Sequence, residues 1–202
     1  MSSANESSGK IKCGPKVIIP VVPIVLIGAY VNNKPTYNVV GNFGVLRISS
    51  PPTIYISTGK QHYTTQGIRE NNSFSVNIPS AELVQLTDYC GSVSGHNVDK
   101  SAVFGSFYGT LKSAPMILEC PINFECTVIR HLSDVFPDGD IFFAEIVETY
   151  IGERYLTADG TINRCEPDIN KVNPIFLGSD WNYWVLGNTI AKAFSVGKNH
   201  KK

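Results

Sequence analysis

From Val21 onward, short runs rich in β-branched and aromatic residues alternate with turn-forming clusters. Val21 to Val31 is one such run. Asn32-Asn33-Lys34-Pro35 interrupts it, Thr36 to Gly44 follows, and Ser49-Ser50-Pro51-Pro52 precedes Thr53 to Thr58. Runs of this length bounded by Asn, Ser, Pro and Gly are the pattern of a β-meander. Phe74, Val76 and Ile78 alternate with Ser73, Ser75 and Asn77, the period of two that defines a strand with one apolar face. Further strands are predicted over Met116 to Glu119, Phe124 to His131 and Ile141 to Ile151, the last two joined through Pro137-Asp138-Gly139-Asp140. Ala158-Asp159-Gly160-Thr161 marks another turn.

Helical signals are fewer. Thr64 and Thr65 are placed to cap a short helix through Asn71, and Ser80 to cap one carrying Leu83, Leu86 and Cys90 as an apolar stripe. Tyr183 to Phe194 reads as irregular or helical. Many strands without a β-α-β rhythm predict a mainly β fold with minor α, an antiparallel barrel bearing a few short helices. Residues 1–15 begin as a Ser-rich polar stretch and are taken as a flexible N-terminal tail, with 16–202 forming one domain.

Composition adjusts this picture in three ways. With 202 residues and 43% hydrophobic content the chain can bury a core without metal or disulfide staples. Seventeen Lys and Arg balance seventeen Asp and Glu, so no overall field attracts nucleic acid or an anionic membrane. Charged residues make up only 17%, a deficit that points to surface covered by a partner subunit or a ligand. The cysteines Cys13, Cys90, Cys120, Cys126 and Cys165 contain no C-x-x-C pair and read as free thiols of a cytoplasmic protein. Cys120 and Cys126, six apart on a straight strand, would share a face about 20 Å apart. Lys10, Lys12 and Lys16 before the apolar Val17 to Val31 mimic a signal peptide, against which Pro20 and Pro23 argue.

Most familiar chemistry is missing. Gly91 to Gly95 has Val93 where a nucleophile elbow needs Ser, Gly59-Lys60 lacks the flanks of a P-loop, and the four histidines show no metal-ligand spacing. Asp134, Asp138 and Asp140 do not fall in the register of a calcium loop. One constellation remains: Ser57-Thr58-Gly59-Lys60-Gln61-His62-Tyr63-Thr64-Thr65, between a predicted strand and a predicted helix. Hydroxyls, a lysine, an imidazole and free helix N–H groups are anion-binding material. The other reading is a polar loop whose Thr caps a helix and whose Lys is solvated.

Several segments in order resemble the flavin reductase-like, FMN-binding split-barrel family, and within it the flavoredoxin type. They are Lys34 to Gly41, Ser50 to Ser57, Thr64 to Val76 with Asn77-Ile78-Pro79-Ser80, Ser94 to Lys100 as an SGxxxDK motif, and Ala193 to Lys198. The resemblance implies an antiparallel Greek-key split barrel that binds FMN as a homodimer and exchanges electrons or hydride with NAD(P)H or a protein redox partner. An electron carrier without nicotinamide activity and a cofactor-less binding module are the alternatives. It implies a phosphate site at Ser57, Thr58, Gly59, Lys60, His62, Tyr63 and Thr64, and a ring site at Asn38, Val40, Gly41, Asn42 and Phe43. Asp99 and Lys100 are carried over from the SGxxxDK motif, although Ser101 stands where relatives favour Phe, as Gly59 and Asn42 stand where relatives carry Arg and Trp or a hydroxyl residue. No catalytic acid or base and no metal is implied.

Overall fold

The computed structural model describes residues 9–157, 166–198 and 200, so the turn expected at Ala158 to Thr161, Cys165 and the first half of the N-terminal tail lie outside it. The strands are β1 (Val21–Pro23), β2 (Val25–Val31), β3 (Lys34–Val40), β4 (Phe43–Arg47), β5 (Thr53–Gly59), β6 (Ser73–Ile78), β7 (Ser106–Phe107), β8 (Met116–Ile117), β9 (Ile122–Leu132), β10 (Gly139–Ile151), β11 (Phe176–Gly178) and β12 (Tyr183–Trp184). The helices are α1 (Tyr63–Asn71), α2 (Val84–Ser92) and the single turn α3 (Ile169–Val172).

Seven strands form the main sheet in the order β3-β2-β6-β9-β10-β5-β4, every neighbouring pair antiparallel. Hairpins join β2 to β3, β4 to β5 and β9 to β10, while long connections carry the chain from β5 to β6 and from β6 to β9. The β9–β10 hairpin is thereby enclosed between β6 and β5, a Greek-key path. The sheet curls round an interior of Val25, Ile27, Ala29, Ile54, Ile56, Phe74, Val76, Cys126, Phe142 and Ala144. Its edges, β3 and β4, do not pair with each other, so the barrel is split.

Local chemistry accounts for most boundaries. Asn32 and Asn33 both have positive φ, 49° and 60°, which a two-residue type I′ hairpin between β2 and β3 requires and asparagine tolerates. The apolar run from Val21 to Val31 is two strands. The chain changes sheets at Ile24, with β1 pairing with β11 and β2 with β3 and β6. The next run breaks at Gly41-Asn42. Thr64 and Thr65 do not cap α1: the N-cap is His62, and both threonines are buried in the first turn. Ser80 precedes a 3-10 turn, Ala81–Leu83, and its hydroxyl caps nothing. The buried positions of α2 are Thr87 and Cys90, with Leu86 exposed, because the helix lies on β3 through a narrow contact. Beyond β12 the chain is irregular. Cys120 precedes β9 and belongs to a second cluster with Leu26, Tyr37, Cys90, Phe104 and Ile117, whereas Cys126 faces the barrel interior.

The polar face of β6 is buried too. The segment from Ser113 to Cys120 covers it, and every polar group meets a partner. Ser75 Oγ donates to the Pro115 carbonyl, and Asn77 Nδ2 donates to the Leu26 carbonyl at 3.0 Å. Asn77 Oδ1 accepts from the Ile117 amide at 2.9 Å and from Asn123 Nδ2 at 2.8 Å. Removing one member strands the others in a dry site, at roughly 1–3 kcal/mol per orphaned group. Asn77→Ala is therefore expected to destabilise the protein by about 2–4 kcal/mol, measured by urea unfolding. A change within 0.5 kcal/mol of zero would show that water replaces the amide.

Candidate functional site

The split in the barrel is where the sequence-predicted residues meet. β3 supplies Asn38 and Val40, the β3–β4 break supplies Gly41 and Asn42, and β4 supplies Phe43. Facing them, β5 supplies Ser57, Thr58 and Gly59, and the turn into α1 supplies His62, Tyr63 and Thr64. One side-chain link spans the gap, with Asn38 Nδ2 lying 2.8 Å from His62 Nδ1, while the Ser57 amide donates to the Asn42 carbonyl at 2.9 Å and so extends the β4–β5 ladder one step past Phe43 and Ile56.

The turn is internally braced. The His62 amide donates to the Gly59 carbonyl at 3.1 Å, Thr65 Oγ1 donates to that same carbonyl at 2.9 Å, and Thr58 Oγ1 lies 3.2 Å from Thr65 Oγ1. It is also tied to the β9–β10 turn, since the Lys60 amide donates to the Asp138 carbonyl at 2.8 Å. Tyr63 and Thr64 open α1, where a helix leaves its first N–H groups without intrahelical acceptors.

Three adjoining hollows follow the split. One of about 210 Å³ is lined by Asn38, His62, Tyr63, Thr64 and Lys100, with Gly91 to Gly95 closing its far side. A second, about 400 Å³, shares His62 and runs past Val40, Gly41, Asn42, Ser57, Thr58 and Gly59 to Asp138. A third, about 430 Å³, shares Gly41, Asn42 and Ser57 and is floored by Ile19, Val22, Phe43, Tyr55, Phe136 and Ile141. The polar end and the apolar end of one groove are thus joined through His62 and Asn42.

His62 and Lys100 set the electrostatics. Burial, and secondarily the charge of Lys100, push the His62 imidazolium pKa below its usual 6.5. A neutral ring with Nδ1 accepting from the Asn38 amide leaves Nε2–H as a donor. Lys100 is 3% exposed and donates from Nζ to the carbonyls of Cys90, 2.7 Å, and Tyr37, 3.0 Å. Two of its three N–H bonds are spent there. Desolvation lowers its pKa.

Two predicted residues stand differently from the rest. The Lys60 ammonium is taken by the carbonyls of Phe136, 3.0 Å, and Pro137, 3.2 Å, so it anchors the β9–β10 turn and lines none of the three hollows. Asp99 pairs with Lys34 at 2.6 Å on the surface, where that hydrogen bond and those from Ser101 hold its carboxyl well below the usual carboxylate range. The pair lines a neighbouring hollow with His96 and Asn97. Asp138, Phe136, Tyr55 and Gly95 enter the site without having been singled out. Gly95 has a steric reason: a Cβ there would lie 2.7 Å from the Tyr63 ring.

Among the described residues no helix is long and apolar enough to cross a membrane, and no cluster of three metal-ligating side chains occurs.

This split antiparallel barrel and its groove have counterparts among known proteins. The flavin reductase-like domain profile matches residues 22–163, and the chain belongs to that family. A flavoredoxin from Methanosarcina acetivorans is 42% identical, superposes with a TM-score of 0.86, and is matched over 94% of this chain and 97% of its own. Flavoredoxin of Desulfovibrio vulgaris (Miyazaki F) is 33% identical with a TM-score of 0.81, over 94% of this chain and all of its own. An uncharacterised protein of Archaeoglobus fulgidus is 29% identical over 60% of this chain, which spans only 64% of that relative's length.

The His62 environment yields a titration test. His62 is expected to titrate below 6.5 by NMR, and Lys100→Met to raise the midpoint while leaving it below 6.5, because burial is the larger cause. The unfolded chain takes up this proton first as the pH falls. The His62 contribution to stability is therefore present above about pH 6.5 and lost below it. A midpoint that does not move in Lys100→Met would remove that ammonium from the His62 environment.

Proposed function

We propose that this protein is an FMN-binding redox protein of the flavin reductase and flavoredoxin kind, passing hydride or electrons between NAD(P)H or a protein donor and an acceptor. The observation that carries this is the groove across the barrel split, with an anion-binding end joined to a flat apolar end. The donor set suits a phosphate monoester: the hydroxyls of Ser57, Thr58 and Thr64, His62 Nε2–H, the first amides of α1 and the remaining N–H of Lys100. The apolar end, with Phe43, Tyr55 and Phe136, suits a planar ring. When bound, FMN would supply the hydride- and electron-accepting chemistry.

The protein's own part is orientation and exclusion. Asn38, Gly41 and Asn42 present backbone along the groove wall, and neutral His62 keeps a donor rather than a full charge beside Lys100. No side chain is asked to shuttle a proton in this scheme. The half-exposed face of β5 and β10, with Tyr55, Ile141 and Phe143 between strand backbone and solvent, supports a homodimer.

Purification in yellow form with about one FMN per chain is the expected outcome, with flavin absorbance bleaching anaerobically on addition of NADH or NADPH. Bleaching by neither nucleotide would leave an electron carrier, and failure to take up FMN would leave a cofactor-less binding module. Thr64→Val keeps the side-chain volume and deletes one hydroxyl donor. It is expected to weaken FMN by about tenfold or more and leave riboflavin unchanged, by calorimetric titration. Equal loss for both ligands would move the phosphate away from α1.

A further inference from the structure

A further hollow, of about 360 Å³, shares no lining residue with the groove. Three stretches distant in sequence build it: Ser80 and Glu82 after β6, Arg154 and Tyr155 in the 3-10 turn Glu153–Tyr155 that follows β10, and Asn170, Lys171 and Asn173 in and just after α3. Backbone bonds hold the stretches together. The Ala81 amide donates to the Asn173 carbonyl at 2.9 Å, and the Asp168 amide to the Tyr155 carbonyl at 2.8 Å. The Asp168 carboxylate caps α3 by accepting from the Asn170 amide at 3.0 Å. The walls are therefore set by the chain itself.

Ser80, expected from its residue type to cap a helix, is 4% exposed, and its hydroxyl has no hydrogen-bond partner among the described residues. A buried hydroxyl left alone is costly, so its position at the wall of a hollow points to a partner that arrives from outside. The two cations of the lining are held in place by the chain behind them. Arg154 Cζ stands 4.6 Å from the Tyr155 ring centroid and its guanidinium donates to the Tyr155 hydroxyl, while Lys171 Nζ donates to the Leu156 carbonyl at 2.8 Å. Each cation spends one N–H in this way and keeps the others for a ligand.

Glu82 is the only carboxylate of the lining, so the hollow carries two positive charges against one negative. A guanidinium and an ammonium in one hollow suit a phosphate group. A bare oxyanion would leave most of the space unfilled, since at about 30 Å³ per water there is room for about a dozen waters. The remaining polar groups, the Glu82 carboxylate, the Asn170 and Asn173 amides and the Ser80 hydroxyl, mix acceptors with donors as recognition of hydroxyls requires. We propose that this hollow is a second ligand site, for a small polyhydroxylated phosphate monoester of the sugar phosphate class. Arg154 and Lys171 take the phosphate, and Glu82, Asn170, Asn173 and Ser80 take the hydroxyls. The site stands apart from the groove and from the flavin chemistry proposed for it.

The test is titration of the isotope-labelled full-length protein with ribose-5-phosphate, inorganic phosphate and ribose, followed by NMR shifts of the backbone amides. Saturable shifts of Ala81, Asn170, Lys171 and Asn173 are expected with ribose-5-phosphate, at an affinity about tenfold or more above that of either fragment. The Tyr63 and Thr64 amides report the groove, so shifts confined to them, or no shifts at all, would overturn the proposal. Arg154→Gln is expected to weaken ribose-5-phosphate by about tenfold or more, the effect of losing one charge-assisted bond, with Arg154→Lys falling between the two. Groove amides that keep their positions in Arg154→Gln show that the variant is folded, and undiminished affinity there would overturn the phosphate assignment. Equal affinity for inorganic phosphate and ribose-5-phosphate would overturn the hydroxyl half of the site. Ser80→Ala is expected to weaken ribose-5-phosphate by about fivefold while leaving the thermal midpoint of the free protein unchanged or higher, because the chain alone gives that hydroxyl no partner. Undiminished affinity in Ser80→Ala would remove Ser80 from the site. Failure to take up FMN would count against the function proposed above, and these shifts would still decide the second site.

Discussion

The site exists because the sheet does not close. β3 and β4 are its two edges, and where a closed barrel would place a ladder of backbone hydrogen bonds this one has a groove. Unpaired strand edges are adhesive, so a split must be occupied or bridged to be stable. Here the bridging is sparse. Asn38 reaches His62, whereas the bond from the Ser57 amide to the Asn42 carbonyl only prolongs the β4–β5 ladder. Asn38 and His62 also line the hollows, so the groups that bridge the split are groups a ligand would touch.

Two buried polar arrangements keep the width of the split from varying. At one end of the barrel the fully buried Asp140 carboxylate, paired in register with Thr58, accepts from Arg69 Nε of α1 at 2.7 Å and lies 3.1 Å from His131 Nε2 of β9. The helix whose first turn faces the groove is thus fastened by its last turn to the strand beside β5. At the other flank Lys100 ties the C-terminal turn of α2, through the Cys90 carbonyl, to β3, through the Tyr37 carbonyl. A charge in so dry a place is tolerable only because carbonyl dipoles surround it, and the negative end of α2 is one of them. The same charge, felt at His62, helps keep that ring neutral.

What could be read from the sequence follows from how local each cause is. The strands of β2, β5, β6, β9 and β10 were legible because alternation and β-branching are local, and Asn32-Asn33 announced its hairpin. The residues from Ser57 to Thr64 were legible as a cluster because they are contiguous, and the family resemblance brought Asn38 to Phe43 opposite them. Causes that depend on distant chain were not legible. Ser75 and Asn77 look solvent-facing until Ser113 to Cys120 covers them. Lys60 looks like a free cation until the β9–β10 turn offers two carbonyls, a turn whose Pro-Asp-Gly-Asp composition spoke only of chain reversal. Thr64 and Thr65 carry the residue type of a cap but sit two and three residues too deep, because His62 already has the extended backbone that an N-cap needs.

The low charge content takes on a more specific meaning once the residues are placed. Few charges could be spread evenly, leaving no large apolar patch, or be segregated. In this chain they are uneven: every acidic residue lies before residue 185, four lysines follow it, and Ile190, Phe194 and Val196 in that same stretch are exposed. Within one chain these side chains and the trough beside Phe43 and Tyr55 both stay wet. The homodimer proposed above would cover part of that surface, so the low charge content and the open trough belong to one argument.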